Sequence, residues 1–417
     1  MNTKPRKRVL SLFSGAGGLD LGLEAAGFRT ALCVEIDAES RRTLSTNRPK
    51  WRLAEPGDVH ELTTKTVMAQ AKLSPRELTL LAGGPPCQPF SKSGYWVSGD
   101  AKRLDDPRSS TLGAYLRILE AALPQVILLE NVKGLVFNKK DEGLALLKKE
   151  LQQINTRNDT RYDPVVVHLN AADYGVPQRR ERVFIIAHRE GRRFEVPKPT
   201  HGPPDDGLFS ADRLPYHNAW DAIGDLDTPC WPEELNSRGK WAELLPSIPE
   251  GENYQWHTDR AGGEPLFGWR TRFWSFLLKL AKNQPSWTIQ AQPGPATGPF
   301  HWKSRQLSTR ELARLQTFPD CYTISGDHRA THRQIGNAVP PAIGELFGLE
   351  IRRQFFGERV RKKLKLIPKS RGECPAPEQN AAVPEKYLIR KGTHQAHPGT
   401  GKGPGALRRQ EEEQAHA

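Results

Sequence analysis

Cysteine and methionine are scarce, with five and two residues in a chain of 417. The cysteines stand at 33, 87, 230, 321 and 374, an odd set, widely spaced, with no C-x-x-C pair. That excludes a disulfide framework and a zinc ribbon, and no metal site is indicated. No apolar run reaches the length that spans a bilayer. The start, MNTKPRKRVLSLFSG, is basic and then apolar, but it runs into glycines without a small-residue cleavage site. It therefore reads as a strand and not as a signal peptide, and the expectation is a soluble, cytoplasmic protein. Internal repeats are also missing.

Positive charge is in excess. Lysine and arginine outnumber aspartate and glutamate by 13, which suggests a polyanionic partner. Of that excess, 8 lie in residues 351–417, so the first 350 residues carry only +5. Charge alone is thus thin support for nucleic-acid binding.

From 8 to about 190, apolar runs alternate with helical patterns. RVLSLFS, TALCVEI, LTLLAGG, PQVILLEN, DPVVVHL and ERVFIIAH read as buried strands. LDLGLEAAG, LGAYLRILEAAL and LALLKKELQQI read as amphipathic helices. Alternation of this kind predicts an α/β domain with a mostly parallel sheet covered on both faces. Residues 191–304 lose the alternation and are rich in Pro, Gly and Trp, as an inserted smaller domain would be. Helical signals return over 305–366, and 367–417 reads as a disordered basic tail.

FSGAGGLDLG (13–22) follows the first strand and opens the first helix, where glycines permit a tight turn and close approach of a ligand. Glu35 ends the second strand, and a carboxylate there can accept hydrogen bonds from a ribose. Asp58, in GDVH, is expected near the end of a third strand. A dinucleotide fingerprint is the rival reading, but its third glycine fails, because Asp20 occupies that place. Next comes GGPPCQPFS (83–91), too rich in proline for a helix or a central strand. It puts Cys87 at the carboxyl edge of the sheet, and ENV (130–132) puts Glu130 on the same edge. A thiolate is a strong nucleophile even when little ionised, and a neighbouring carboxyl can donate a proton to a ring nitrogen.

In order along the chain stand FSGAGG, VEID, GD, GGPPCQPFS, ENV, QRRER, RQLSTRELARLQTFP and QIGNAVPP. This series resembles the cytosine-5 DNA methyltransferases over nearly all of residues 8–350. The resemblance implies a Rossmann-like S-adenosylmethionine-dependent domain with an inserted target-recognition domain, acting on double-stranded DNA. Cys87 then matches the nucleophile that adds to C6, and Glu130 the group that holds or protonates N3. Arg180 and Arg182 match the pair that grips the base carbonyl and orders the site. The cofactor pocket is implied to use Phe13, Gly15, Gly17, Gly18, Glu35, Asp58 and Asn337, with Glu35 on the ribose and Asp58 on the adenine amino group. The polar stretch 88–110 is expected to close over a base flipped from the duplex.

Ser91 in that loop, with Arg270 and Arg272 in the insert, are the candidate DNA contacts, since arginine among aromatics suits phosphate and base-edge contact. Phe273, Phe276 and Leu277 are expected in the insert's core. Thr297-Gly298 resembles the threonine-containing end of such domains. Nothing in the sequence gives the recognised site. An RNA cytosine methyltransferase is a second reading, disfavoured because that branch has a shorter insert. A catalytically inactive DNA-binding regulator is a third, which the intact Cys87, Glu130, Arg180 and Arg182 oppose. A nicotinamide oxidoreductase would leave GGPPCQPFS and GNAVPP unexplained. A compact chain with one insert suits a bacterial monomer that works at the nucleoid, beside a cognate restriction endonuclease or alone.

Overall fold

Six apolar segments form the central sheet of the computed structural model, which describes residues 7–85, 110–131, 142–203, 213–269 and 271–392. In chain order the elements are β1 (Arg8–Leu12), α1 (Gly18–Ala25), β2 (Arg29–Val34), α2 (Ala38–Asn47), α3 (Thr64–Ala71), β3 (Leu80–Gly83), α4 (Ser110–Ala122), β4 (Val126–Asn131), α5 (Glu142–Asn158), β5 (Val165–Asn170), β6 (Gln178–Arg179) and β7 (Glu181–His188). The sheet order is β2-β1-β3-β4-β7-β5. β7 runs antiparallel to both neighbours, and the other pairings are parallel. The connection explains the reversal. A parallel return needs a crossover of a dozen or more residues. Between β5 and β7 the chain has only a short 3₁₀ turn, Ala171–Tyr174, and the two residues of β6.

Strand residues alternate between two cores. Leu10, Leu81, Ile127 and Ile185 face one side, with Tyr115 of α4. Val9, Leu80, Leu128 and Ile186 face the other, with Phe347. All six expected strands are present. Three helices were not legible. α2 and a later helix α8 (His328–Asn337) bury threonine, serine and glutamine beside few aliphatics, and α3 buries only Val67 and Ala71, so no apolar stripe announces them. Asp58 is not at a strand end as expected. Only an isolated bridge, Cys33 with Leu53, precedes it.

After a short helix α6 (Ala219–Ile223) in the insert, the chain returns through α7 (Thr309–Leu315) and α8, which pack with Ala16, Leu21 and Trp51, and through α9 (Pro341–Phe356), which joins the Val9 and Phe347 core. α9 lies against α1 at backbone distance. A Cβ at Gly22 would collide with the carbonyl oxygen of Pro341, and one at Gly344 with that of Leu19. Two glycines facing each other are what that approach requires.

The insert is held by side chains more than by regular elements. Leu244, Tyr254, Phe267, Phe276, Leu277 and Phe300 form its core. Phe273, expected there, is 55% exposed. The expected disorder beyond 367 does not hold for residues 367–392. This segment runs back over the insert as a strap. The Arg371 amide donates to Asp221, Lys282 pairs with Glu378 at 2.9 Å, and the Ala381 amide donates to the carbonyl of Pro246. A last short helix, α10 (Glu385–Leu388), buries Tyr387 beside Trp241, with ring centroids 5.7 Å apart. Among the described residues no helix is long and apolar enough to cross a membrane.

Candidate active site

Three loops meet at the carboxyl ends of β1 and β2. Phe13, Gly15 and Gly17 all have positive φ, at 56°, 53° and 76°, which coils the chain tightly into α1. The Gly15 amide donates to Glu35 Oε2 at 2.6 Å and the Asp37 amide to Oε1 at 2.8 Å. Each carboxylate oxygen keeps further acceptor capacity. Burial raises the Glu35 pKa, against the lowering by those two amides. Gly57 packs directly on the Glu35 carbonyl, and Asp58 follows it, accepting from the His60 amide at 2.9 Å. On the other side, a Cβ at Gly18 would meet the Val339 carbonyl, and Tyr322 donates to the Ala16 carbonyl at 2.8 Å. Asn337, exposed at the end of α8, is thus two residues from contact with the glycine turn.

The second cluster lies at the ends of β3 and β4. Glu130 is buried and pairs with Arg182 Nε at 2.9 Å. Burial pushes its pKa up, opposed by the charges of Arg182 and Arg180. A Cβ on Gly84 would stand 3.1 Å from Glu130 Oε2, so the chain at Gly84 passes directly over the carboxyl. Arg182 reaches Glu130 because β7 runs beside β4, with Glu130 opposite Phe184.

Arg180 departs from expectation. Its guanidinium is fully buried and donates to the carbonyls of Ile289 at 3.2 Å, Gly336 at 2.6 Å and Ala338 at 2.9 Å. It therefore ties β7 to the insert and to the QIGNAVPP segment and is not free to grip a base; only its Nε lacks a partner among the described residues. Cys87, Ser91 and Arg270, and the stretch 88–109, lie outside the described residues. Arg272 is exposed, with its guanidinium 5.7 Å from the Phe276 ring. Thr297 forms an isolated bridge with Phe276, and its hydroxyl accepts from the Gly294 amide at 3.2 Å.

Two residues were missed from sequence. Ile36, between the anchored Glu35 and Asp37, is 68% exposed, and an apolar side chain at a strand's carboxyl end was the available signal. Asp20 is wholly buried beneath the glycine turn, accepting from Ser11 Oγ at 3.0 Å. Burial raises its pKa to about 7. In the sequence it figures only as the residue that breaks the dinucleotide fingerprint.

The family model for C-5 cytosine-specific DNA methylases matches residues 7–353. Type II methyltransferase M.SacI of Streptomyces achromogenes is 38% identical over 363 residues, covering 81% of this chain and 90% of its own length. Among solved structures, a prophage-encoded Escherichia coli protein described as a DNA modification methyltransferase superposes with a TM-score of 0.58 at 23% identity, covering 84% of this chain and 99% of the other. DNMT2 of Spodoptera frugiperda superposes with a TM-score of 0.57 at 16% identity, covering 82% and 99%. At such identities these two speak for the fold.

Proposed function

The chain belongs to the C-5 cytosine-specific DNA methylases, and from that membership we propose how its residues share the reaction. It methylates C5 of cytosine in DNA with S-adenosylmethionine as donor. The described residues fit that donor. A Cβ at Gly15 would meet open space, so the turn leaves room above it. Glu35, fixed by two amides, has acceptor capacity left for ribose hydroxyls. Ile36 offers an apolar face to a purine, with Asp58 and Asn337 at the margins. When bound, S-adenosylmethionine supplies an electrophilic methyl group.

The rest falls to the chain and the base. The Cys87 thiolate adds to C6 while Glu130 gives its proton to N3, and the displaced electrons make C5 nucleophilic. After methylation a base removes the C5 proton. The C6–S bond then breaks, Cys87 leaves as thiolate, and the N3 proton returns to Glu130. Arg182 holds Glu130 and stays at the site for the base carbonyl, while Arg180 positions the strand. The observation that carries this reading is the buried Glu130–Arg182 pair lying against Gly84. Three residues span at most about 11 Å, which keeps Cys87 within reach of the same base. Arg272, with Ser91 and Arg270, completes the proposed DNA contacts. A base inside a duplex must be flipped out to reach this site.

Bisulfite sequencing of plasmid DNA from cells expressing the chain, beside a Cys87→Ser control, tests the reading. Methylated cytosine in one short motif, absent from the control, is expected. An unmethylated plasmid, with transfer RNA labelled instead by tritiated S-adenosylmethionine, would overturn the choice of substrate. The relatives' Type II names support a further reading, in which a cognate endonuclease cuts the same motif. Plasmid from expressing cells should then resist an endonuclease of that specificity.

A further inference from the structure

Phe273 and Trp274 are 55% and 51% exposed, and they are the only aromatic residues among the large exposed hydrophobics of the described chain. Their backbone is not loose. Tyr254 Oη accepts from the Arg272 amide at 3.2 Å and donates to the Arg272 carbonyl at 2.9 Å. Asn253 Nδ2 donates to the Trp274 carbonyl at 2.8 Å, and the Gly298 amide to that of Ser275 at 2.8 Å. Gln290 Nε2 donates to Ser275 Oγ at 2.8 Å. A rigid loop is thus built to present two rings to solvent, against the tendency of large aromatics to be covered.

The place of the rings gives them a use. Trp274 meets Trp287 edge to face, with centroids 5.4 Å apart. Trp287 pairs with Arg179 across the short ladder between residues 286–287 and β6, and the Arg179 guanidinium lies 5.0 Å over its ring. One ring therefore separates Trp274 from the strand run that carries Arg180 and Arg182. Arg179 and the exposed Arg272 lie on either side of the pair along the chain of contacts, with charge suited to phosphates.

We propose that Trp274, backed by Trp287 and flanked by Phe273, is a wedge that enters duplex DNA at the target base pair and stacks on the bases left behind when the cytosine turns out. The proposal rests on the reading of duplex DNA as substrate. Apolar side chains inserted between base steps are a known means of unstacking, and an aromatic face stacks on any base. Arginine beside the ring anchors the strand whose geometry changes, and the ordered loop means that no folding cost accompanies insertion.

The test uses the full chain and two duplexes with the methylated motif. In one the target cytosine is paired, and in the other it faces an abasic site, where little unstacking is needed. Trp274→Ala should lower single-turnover methylation on the paired duplex by about tenfold or more, the scale of one lost base–aromatic stack. On the abasic-opposed duplex it should stay within about threefold of the parent, and Trp274→Phe should keep most activity on both. The 2-aminopurine signal of a duplex labelled at the target position should fall in step. Equal loss on both duplexes, or no loss on the paired one, overturns the wedge. A change of oligomeric state in Trp274→Ala with methylation intact would instead assign the patch to a second copy, and also overturns it. Failure of the underlying reading looks different, because the parent itself would then methylate neither duplex.

Discussion

Arg180 and Arg182 are two residues apart and have different work. Arg180 answers three main-chain carbonyls, so replacing it leaves buried acceptors unpaired, while Arg182 answers one carboxylate at the site. Arg180→Lys should therefore cost about 2–3 kcal/mol of stability, read by chemical denaturation. Arg182→Lys should leave the denaturation midpoint near the parent's and lower the methylation rate. Equal midpoints for both would remove the distinction. Asp20 makes a pH prediction. Its carboxyl is moved from an ordinary 3.8 to about 7, so the folded state holds a proton that the unfolded state releases. Stability contributed by that proton is present below the unfolded value and declines as pH rises from about 4 through 7. Asp20→Asn should flatten this part of the stability profile, and an unchanged slope would place the titration elsewhere. Most of these residues were legible by type and spacing, because motifs fix chemistry locally. The division of labour between two arginines was not, since it depends on carbonyls contributed by residues 289, 336 and 338.

At the level of elements, the strands were readable because burial on both faces demands continuous aliphatic runs. α8 was not. It buries Thr331 and Gln334 beside a single large aliphatic, Ile335, and Gln334 exchanges hydrogen bonds with Thr43 and Ser325. The strap was misread for a related reason. Residues 367–392 look too polar to bury anything, yet they do not make a core of their own. They complete one already built, with Tyr387 4% exposed and its hydroxyl donating to the Lys240 carbonyl at 2.7 Å. Tyr387→Ala should destabilise the insert by about 3 kcal/mol, as for other large aromatic truncations. Limited proteolysis should then cut first within 241–300, while S-adenosylmethionine binding, proposed above for the crevice at Glu35, persists. Cleavage at unchanged sites and rates would show the strap to be dispensable.

Over the whole molecule the basic excess has a different meaning from that of a loose tail. Residues 351–392 hold all of the +8, since the three Lys/Arg beyond them are balanced by three Glu. Much of it is used internally. Arg352 pairs with Glu358, Arg361 with Glu345, Arg371 with Asp225 and Lys391 with Glu264. Truncation after 392 should accordingly leave the salt dependence of DNA binding unchanged, because the slope counts phosphates neutralised. A shallower slope would return a DNA-binding role to those residues.

Tyr387 also imposes an order in time. Trp241, Phe267 and Phe276 are made early, and the ring that closes their cluster follows on the order of ten seconds later at ordinary rates of synthesis. Until then the insert has an open apolar face, while the sheet and the helices that cover it, all made before the strap, can already assemble. A ribosome-bound chain halted before the strap emerges would have its sheet covered and its insert still open. The insert's core is therefore finished by a segment made after all the helices that cover the sheet, which makes the strap the step on which completion of the insert waits.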